Sequence, residues 1–544
     1  MAELASGVLA MRALKAAGVE HLFTLSGGHI FPLYDGCRDA GIRIVDTRHE
    51  QTATFAAEGM AKLTRRTQVA ALTAGPGITN GASAVAGAKF NGSPVLVLGG
   101  RAPQATWGAG SLQEMDHVAF MRALTKHAMT STAPGEVARD VLDAFRVAST
   151  PQRGPAFVDI PMDVIFLPAD EATVPGWAPP EPQPVDTDAV ARAAEVLRGA
   201  RKPVIIAGTD VWFDGAWQAL RDLVETLRVP TILNGMGRGC LPADHELCFS
   251  RARGAALKGA DVVMVIGTPL DFRLGFGHFG EAQVVHVVAH PDLVARHRPL
   301  AAGVSGNLAA ALAEITQGVE GPAGETQAAR DAWVAELRGV EDAERASERD
   351  LLESEADPIH PARIYGELGK ALERDAVVIG DGGDFVSYAG KYVDTYEPGR
   401  WMDPGPYGCL GTGPGYAAAA RLAHPDAQVA LMLGDGAAGF SLMDVDTLVR
   451  HNLPVVMVVG NNGMWALEKY PMQQMYAGWD VAADLRQETG YDAIVRALGG
   501  AGETVDKAGD LAAALKRGFD SGVPYLINVH TDPKVAYPRK AALV

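Results

Sequence analysis

Six prolines, at positions 168, 175, 179, 180, 182 and 184, fall in one short stretch of the chain. Proline fixes φ and has no backbone N–H to donate, so this stretch can be neither helix nor central strand and is expected to be an extended linker. On either side of it, short apolar runs alternate with helical stretches. The runs are 42–45, 68–72, 94–98 and 156–160 before the linker, then 203–207, 229–233, 262–266 and 284–288 up to about residue 318. From about residue 359 the alternation returns, with 377–379, 429–433, 455–459 and 525–529. Such alternation predicts parallel α/β sheets. The intervening residues 319–356, rich in Glu, Asp, Arg and Ala, read as a solvated helical connector. The expectation is an α/β protein of three doubly wound parallel-sheet domains, spanning 1–167, 185–318 and 357–544. At about 100–200 residues per domain, the length suits that division.

The formal net charge of −17 argues against a nucleic-acid partner, whose phosphates need a basic field. Cys37, Cys240, Cys248 and Cys409 form no C-x-x-C pair, so zinc is not expected and a reducing compartment fits. The N-terminal segment carries Glu3 where a secretory leader would be basic, and reads as an amphipathic helix. No apolar run reaches the roughly 18 residues of a membrane span, and a cytoplasmic protein is expected.

The stretch 429–436, VALMLGDG, is a strand ending in Gly-Asp-Gly, and AAGFSLMDVDTLVRH follows as a helix. Gly434 and Gly436 let a ligand approach the backbone, and the amides of Gly436 and Ala437 at the helix start favour a diphosphate. One helix later LPVVMVVGNNG ends a second strand, so Asp435 and Asn462, 27 positions apart, lie at the carboxyl ends of strands in one sheet. Mg²⁺ takes about six oxygen ligands. The Asp435 carboxylate, the Asn462 side-chain oxygen, a carbonyl near Met464, two phosphate oxygens and a water would complete the set. Taken singly, Gly-Asp-Gly is also a turn and Asn-Asn-Gly a hairpin signal. Glu50, which opens a helix in IRIVDTRHEQTATFAAEGMAKL, is likewise a residue that the helix dipole alone selects.

Taken together, the G-D-G and N-N spacing, and RHEQTATFAAEG followed by TAGPGITN, resemble the thiamine diphosphate enzymes of the acetolactate synthase superfamily. The resemblance spans nearly the whole chain, GPAFVDIPMDV at the first boundary included, and implies a pyrimidine-binding, a middle and a diphosphate-binding domain in that order. It implies that Glu50 activates the cofactor's aminopyrimidine and that Pro76 and Asn80 face the cofactor. Leu410, 25 positions before Asp435 and usually Met in acetolactate synthases, becomes the apolar wedge between the cofactor rings. Gly408 becomes the carbonyl that accepts from the aminopyrimidine, and Gly383, Asp384 and Phe385 in DGGDF a second diphosphate loop. On the residues alone, Leu410 reads equally as core, and GCLGTGPGY as a tight backbone approach or a dinucleotide loop. The resemblance also implies an active site between the pyrimidine domain of one subunit and the diphosphate domain of another. A homodimer is then the minimum and a homotetramer the expected assembly.

Within the superfamily, ADVVMVIGTPLDFRLGFG and MDPGPYGCLGTGPGYA are similar to the 2-hydroxyacyl-CoA lyase and oxalyl-CoA decarboxylase branch. The second stretch puts Tyr407 beside the reacting rings, where a packing role is equally open. Val288 stands where many relatives have an aspartate for a nucleotide ribose, which argues against FAD or ADP in the middle domain. Gln113 in SLQEMD matches a glutamine that faces the cofactor; His29 and Glu488 are the other proton-handling candidates, although a lone histidine is more often structural and such a glutamate merely solvated. Arg400 and the tail residues Lys534, Arg539 and Lys540 are candidates for CoA phosphates, though a basic tail is usually just solvated. The resulting expectation is a 2-hydroxyacyl-CoA lyase, which breaks the carbon–carbon bond between the thioester carbonyl and the hydroxyl-bearing carbon of a 2-hydroxyacyl-CoA to give formyl-CoA and an aldehyde or ketone. The alternatives are an oxalyl-CoA decarboxylase, an acetolactate-type carboligase acting on 2-oxo acids, and a catalytically silent regulatory homologue.

Overall fold

A computed structural model describes residues 3–319 and 321–537. It contains three six-stranded parallel sheets covered by helices. The first joins Arg43–Asp46, His21–Thr24, Gln68–Leu72, Val95–Arg101, Ala156–Pro161 and His127–Thr130 in that spatial order. The third joins Trp401–Met402, Val377–Asp381, Val429–Gly434, Val456–Asn461, Tyr525–His530 and Ala501–Val505. With strands numbered along the chain within each sheet, both read 2-1-3-4-6-5, so the two outer domains share one topology. The middle sheet joins Cys248–Phe249, Thr231–Leu233, Pro203–Ala207, Val262–Ile266, Gln283–Val288 and Ala302–Ser305, and reads 3-2-1-4-5-6.

Helices on both faces explain why the central strands are continuous apolar runs: Val429–Gly434 and Val456–Asn461 are buried along their whole length. In a doubly wound sheet, ligands bind beyond the carboxyl ends of the strands at the point where the strand order reverses. In the first sheet that point lies between His21–Thr24 and Gln68–Leu72, whose following loops carry His29 and Pro76. In the third it lies between Val377–Asp381 and Val429–Gly434, whose following loops carry Gly383 and Asp435.

The outer domains meet through the helices Glu50–Thr64 and Gly413–Ala423. A Cβ at Gly59 would stand 3.0 Å from the Ala419 Cβ, and one at Gly415 2.8 Å from the Phe55 Cβ, so glycine at both positions lets the backbones approach closely. Polar groups inside this seam are paired. Glu58 accepts from the Tyr416 hydroxyl and from Asn91 Nδ2, both at 2.8 Å, while Lys62 Nζ donates to the Tyr416 hydroxyl at 2.8 Å.

Two local expectations need correction. The proline-rich segment does not run wholly as free linker: Pro168–Asp170 pairs antiparallel with Glu3–Ala5, an edge position where the missing proline donor is tolerated. The charged composition of 319–356 predicts a solvated connector, yet Gly324–Leu352 is one helix that buries Arg330, Trp333, Leu337, Glu341 and Glu348. Arg330 donates to the carbonyls of Leu197, Ala200 and Leu227, closing the ends of two middle-domain helices. Glu341 accepts from the amides of Ser250, Arg251 and Ala252. Each buried charge finds hydrogen-bond partners, which residue composition cannot reveal.

Candidate active site

Glu50 is the first residue of its helix and is nearly buried, at 7% exposure. His49 caps that helix, its Nδ1 accepting from the Gln51 amide at 3.1 Å. Glu50 Oε2 accepts from Asn80 Nδ2 at 3.0 Å. Asn80 lies on the helix Pro76–Asn91, which starts after Gly75 at φ 58°, ψ −112°. A Cβ at Gly77 would stand 3.7 Å from Glu50 Oε1, so the glycines of this turn keep the carboxylate accessible. The turn is pinned from below: the Gly75 amide donates to His117 Nε2 at 2.9 Å. That acceptor role puts the ring proton on Nδ1, which donates to Asp159 Oδ2 at 3.1 Å, and Arg101 completes the buried network at 3.0 Å.

A cavity of about 540 Å³ opens beside this turn, lined by Ser26, His29, Thr73, Leu112, Gln113 and Met162 among others. His29 is 4% exposed; its Nδ1 pairs with Thr73 Oγ1 at 3.2 Å while its Nε2 has no hydrogen-bond partner. Burial holds the imidazole below its ordinary pKa, opposed by the Leu112 backbone, so the ring is neutral at pH 7. Gln113 adopts φ 58°, a left-handed conformation uncommon outside glycine and found at sites where the surroundings impose it. A larger cavity of about 660 Å³ lies in the middle domain between residues 269–276 and 292–297, apart from all of these residues.

From the third domain, Asp435 begins the helix Asp435–Ser441 and is 3% exposed. Its Oδ1 accepts from the Gly436 amide at 2.8 Å, and its Oδ2 from the amides of Gly463 and Met464 at 2.7 and 3.2 Å. Burial pushes its pKa up to about 6 against those amide donors. Asn462, 4% exposed, turns its Oδ1 to the Met464 amide at 3.3 Å. Among the described residues this carboxylate faces no cationic side chain, and the neighbouring asparagine and main-chain oxygens are the hard donors that Mg²⁺ takes. Gly434 and Gly460 make room for the buried Phe385 ring, which roots the helix Gly383–Tyr392. That helix and Asp435–Ser441 start at the carboxyl ends of two neighbouring strands, so both turn their N-termini towards the same edge of the sheet. The residues present therefore suit a metal-bound diphosphate.

The two halves face each other within the one chain. Gln51 Nε2 donates to the Leu410 carbonyl at 3.3 Å. Asp444, buried in the third domain, accepts from the Arg48 amide at 2.7 Å and from Thr52 Oγ1 at 2.6 Å, and so grips the turn on both sides of Glu50. The sequence reading, which expects the halves to come from two subunits, missed this residue; the signal was an aspartate nine positions after Asp435 in the helical stretch that follows the Gly-Asp-Gly turn.

Other candidates lie elsewhere. Arg400 stands at the entry of Trp401–Met402, its carbonyl accepting from the Val378 amide and its guanidinium paired with Glu397. With about 3.3 Å per strand residue, it lies about 10 Å along the sheet from the end that carries Gly383. Tyr407 stacks on Phe90, ring centroids 4.9 Å apart, near the last turn of Pro76–Asn91. At about 1.5 Å per helical residue, that is roughly 20 Å from Pro76. Gly408, at φ 73°, is exposed between Tyr407 and Leu410, and Glu488 is exposed on a loop beside Gly463. Lys534 is exposed, and Arg539 and Lys540 lie outside the described residues.

Family models for thiamine pyrophosphate enzymes match three parts of the chain: the N-terminal TPP binding domain at 7–120, the central domain at 190–315 and the C-terminal TPP binding domain at 381–529. The chain belongs to the thiamine pyrophosphate enzymes, in their acetolactate synthase-like superfamily. It is similar to the acetolactate synthase large subunit IlvG of Mycobacterium tuberculosis, 52% identical over 99% of this chain and 98% of that protein. It is also similar to 2-hydroxyacyl-CoA lyase 2 of Bos taurus, 35% identical over 95% of this chain and 88% of that protein, and to that of Homo sapiens, 36% identical over 83% and 78%. The protein is thus a thiamine pyrophosphate-dependent enzyme. No helix among the described residues is long and apolar enough to cross a membrane.

Proposed function

We propose that this enzyme is a carboligase of the acetolactate synthase type, which removes CO₂ from a 2-oxo acid and joins the remaining acyl unit to a second carbonyl compound. The observation that carries this reading is the electrically neutral cavity lined by His29, Thr73 and Gln113. Its described lining consists of hydroxyl, amide and apolar groups with a neutral imidazole. An ionised carboxylate is costly to hold in such a pocket without a cation, and loss of the first 2-oxo acid's carboxylate as CO₂ leaves an uncharged acyl unit there, while the second substrate keeps its own. The 52% likeness to a mycobacterial acetolactate synthase subunit favours the same reaction.

When bound, thiamine diphosphate supplies a thiazolium carbon that acts as a nucleophile towards carbonyl groups. Glu50, oriented by Asn80, holds a proton at the pyrimidine nitrogen of that cofactor. Asp435, Asn462 and the Met464 carbonyl would hold Mg²⁺, and the amides of Gly383, Asp384, Phe385, Gly436 and Ala437 would receive the diphosphate. Leu410, from the third domain, would be the apolar wedge that supports the two rings. His29 Nε2, free and neutral, holds or moves a proton at the substrate's carbonyl oxygen, and the Gln113 amide orients that group.

A second reading is 2-hydroxyacyl-CoA lyase, favoured by the LDFRLGFG and DPGPYG stretches and by the animal relatives of that name. Its candidate CoA contact, Arg400, stands at a sheet edge paired with Glu397. Purified protein with thiamine diphosphate and Mg²⁺ separates the two. Pyruvate should yield CO₂ and a branched 2-hydroxy-2-methyl-3-oxo acid; formyl-CoA from a 2-hydroxyacyl-CoA panel, with no product from 2-oxo acids, would replace the first reading by the second. The homodimer or homotetramer implied by the resemblance is measured by sedimentation.

A further inference from the structure

Asp381 ends the strand Val377–Asp381, beside Leu433 in the neighbouring strand, and is fully buried. It was not among the residues expected at the site. Its two oxygens accept main-chain amides on either side of one residue: Oδ1 takes Gly411 N–H at 3.1 Å and Oδ2 takes Gly413 N–H at 2.8 Å. The loop so gripped begins at Leu410. The next residue on the strand side, Gly382, has φ 79°, and a Cβ there would stand 3.1 Å from Leu410 Cδ2 and collide with the Ala437 Cβ. Leu410 is therefore seated on a glycine that must lack a side chain, at the junction between the two diphosphate loops. From the opposite side Gln51 holds the Leu410 carbonyl.

We propose that Asp381 is a positioning residue for the reaction: through the amides of Gly411 and Gly413 it seats Leu410 against Gly382, and so sets the angle at which the two rings of the cofactor meet. This rests on the reading that thiamine diphosphate binds with Leu410 between its rings. The ionised carboxyl group suits the task because in that form it offers acceptors only, whereas the isosteric amide would turn one N–H₂ towards a main-chain N–H. The structural alternative, a carboxylate that merely stabilises the domain, makes a different prediction. It would change folding and cofactor affinity together and leave ring geometry alone.

The test uses Asp381→Asn in the full chain, with three readouts. Cofactor affinity is followed by tryptophan fluorescence during titration with thiamine diphosphate and Mg²⁺. Ring geometry is followed by deuterium exchange at the thiazolium C2–H of the substrate-free holoenzyme. Loop seating is followed by amide exchange at Gly411 and Gly413 in cofactor-free protein. The expected result is affinity within about threefold of wild type, faster exchange at both amides, and C2 exchange slowed roughly tenfold to a hundredfold, the range in which misplacement by about 1 Å acts. Leu410→Ala should slow C2 exchange by a similar factor, and the double variant should be no slower than Leu410→Ala alone, since both act through one side chain. Multiplicative effects in the double variant, or unchanged C2 exchange with deprotected amides, overturn the inference. If Asp381→Asn does not fold, Asp381→Ser, which keeps one acceptor, takes its place with an intermediate slowing expected and an unchanged rate contradicting. Failure of wild type itself to bind the cofactor would instead sink the underlying functional reading.

Discussion

The side-chain amide of Gln51, the residue next to Glu50, donates to the main-chain carbonyl of Leu410 at 3.3 Å. The residue next to the proposed activating carboxylate is thereby tied across the domain boundary to the proposed wedge by one direct bond. Neither helix nor loop alone fixes their separation. Gln51→Leu removes the donor while keeping volume, at about 0.5–1.5 kcal/mol for a typical hydrogen bond. The expected outcome is a severalfold fall in kcat with the melting temperature little changed, measured by steady-state kinetics and calorimetry.

Asp444 makes a stronger version of the same connection, since it holds both the Arg48 amide and the Thr52 hydroxyl. Asp444→Ala leaves two donors in a buried seam without an acceptor and should lower stability by about 1–3 kcal/mol. It should also reduce kcat more than cofactor affinity. Asp444→Asn, which keeps an oxygen for the amide, should recover most of both. Equal stability and activity in wild type and the alanine variant would detach Glu50 from this carboxylate.

Metal dependence follows from Asp435, a buried carboxylate whose contacts are three amides. Cofactor binding should be abolished by chelation and restored by Mg²⁺. In Asp435→Ala, added Mg²⁺ should no longer strengthen binding of the diphosphate, as isothermal titration would show.

Asp381 predicts a pH dependence. Burial raises its pKa from 3.8 to about 7 despite two amide donors. The folded state thus binds this proton more tightly than the unfolded chain, and the associated stability is complete below pH 3.8 and lost as pH rises through about 7. The melting temperature of cofactor-free wild type should therefore fall relative to Asp381→Asn across that window. A difference that stays flat, or grows, would show that the carboxylate is ionised throughout.

The central strands were legible because burial on both faces writes them as unbroken apolar runs, as in VALMLG and VVMVI. Five of the strands that escaped are sheet edges: His127–Thr130, Cys248–Phe249, Ala302–Ser305, Trp401–Met402 and Ala501–Val505. An edge strand is short and covered less completely, so its sequence resembles a loop. The placement of Glu50, Asp435 and Asn462 at the ends of regular elements was legible because a motif marks each of them. Asp381, Asp444 and His117 were not, because each acts on main-chain groups far away in sequence, and residue type alone gives no sign of such a partner. Arg400 stands at the start of an edge strand, about 10 Å along the sheet from the end that carries Gly383, a place that its charge does not reveal.

The account stands on Glu50 serving the cofactor held by Asp435 and Asn462, and Glu50→Gln measures this most directly. Glutamine keeps the shape and can still meet Asn80, but it cannot hold the proton at the pyrimidine nitrogen. Cofactor binding in the presence of Mg²⁺ should survive within a few-fold, while thiazolium C2 exchange and carbon–carbon bond formation fall by about 10²–10⁴, the usual weight of acid–base catalysis. A Glu50→Gln enzyme that binds thiamine diphosphate and turns over at the wild-type rate would contradict it.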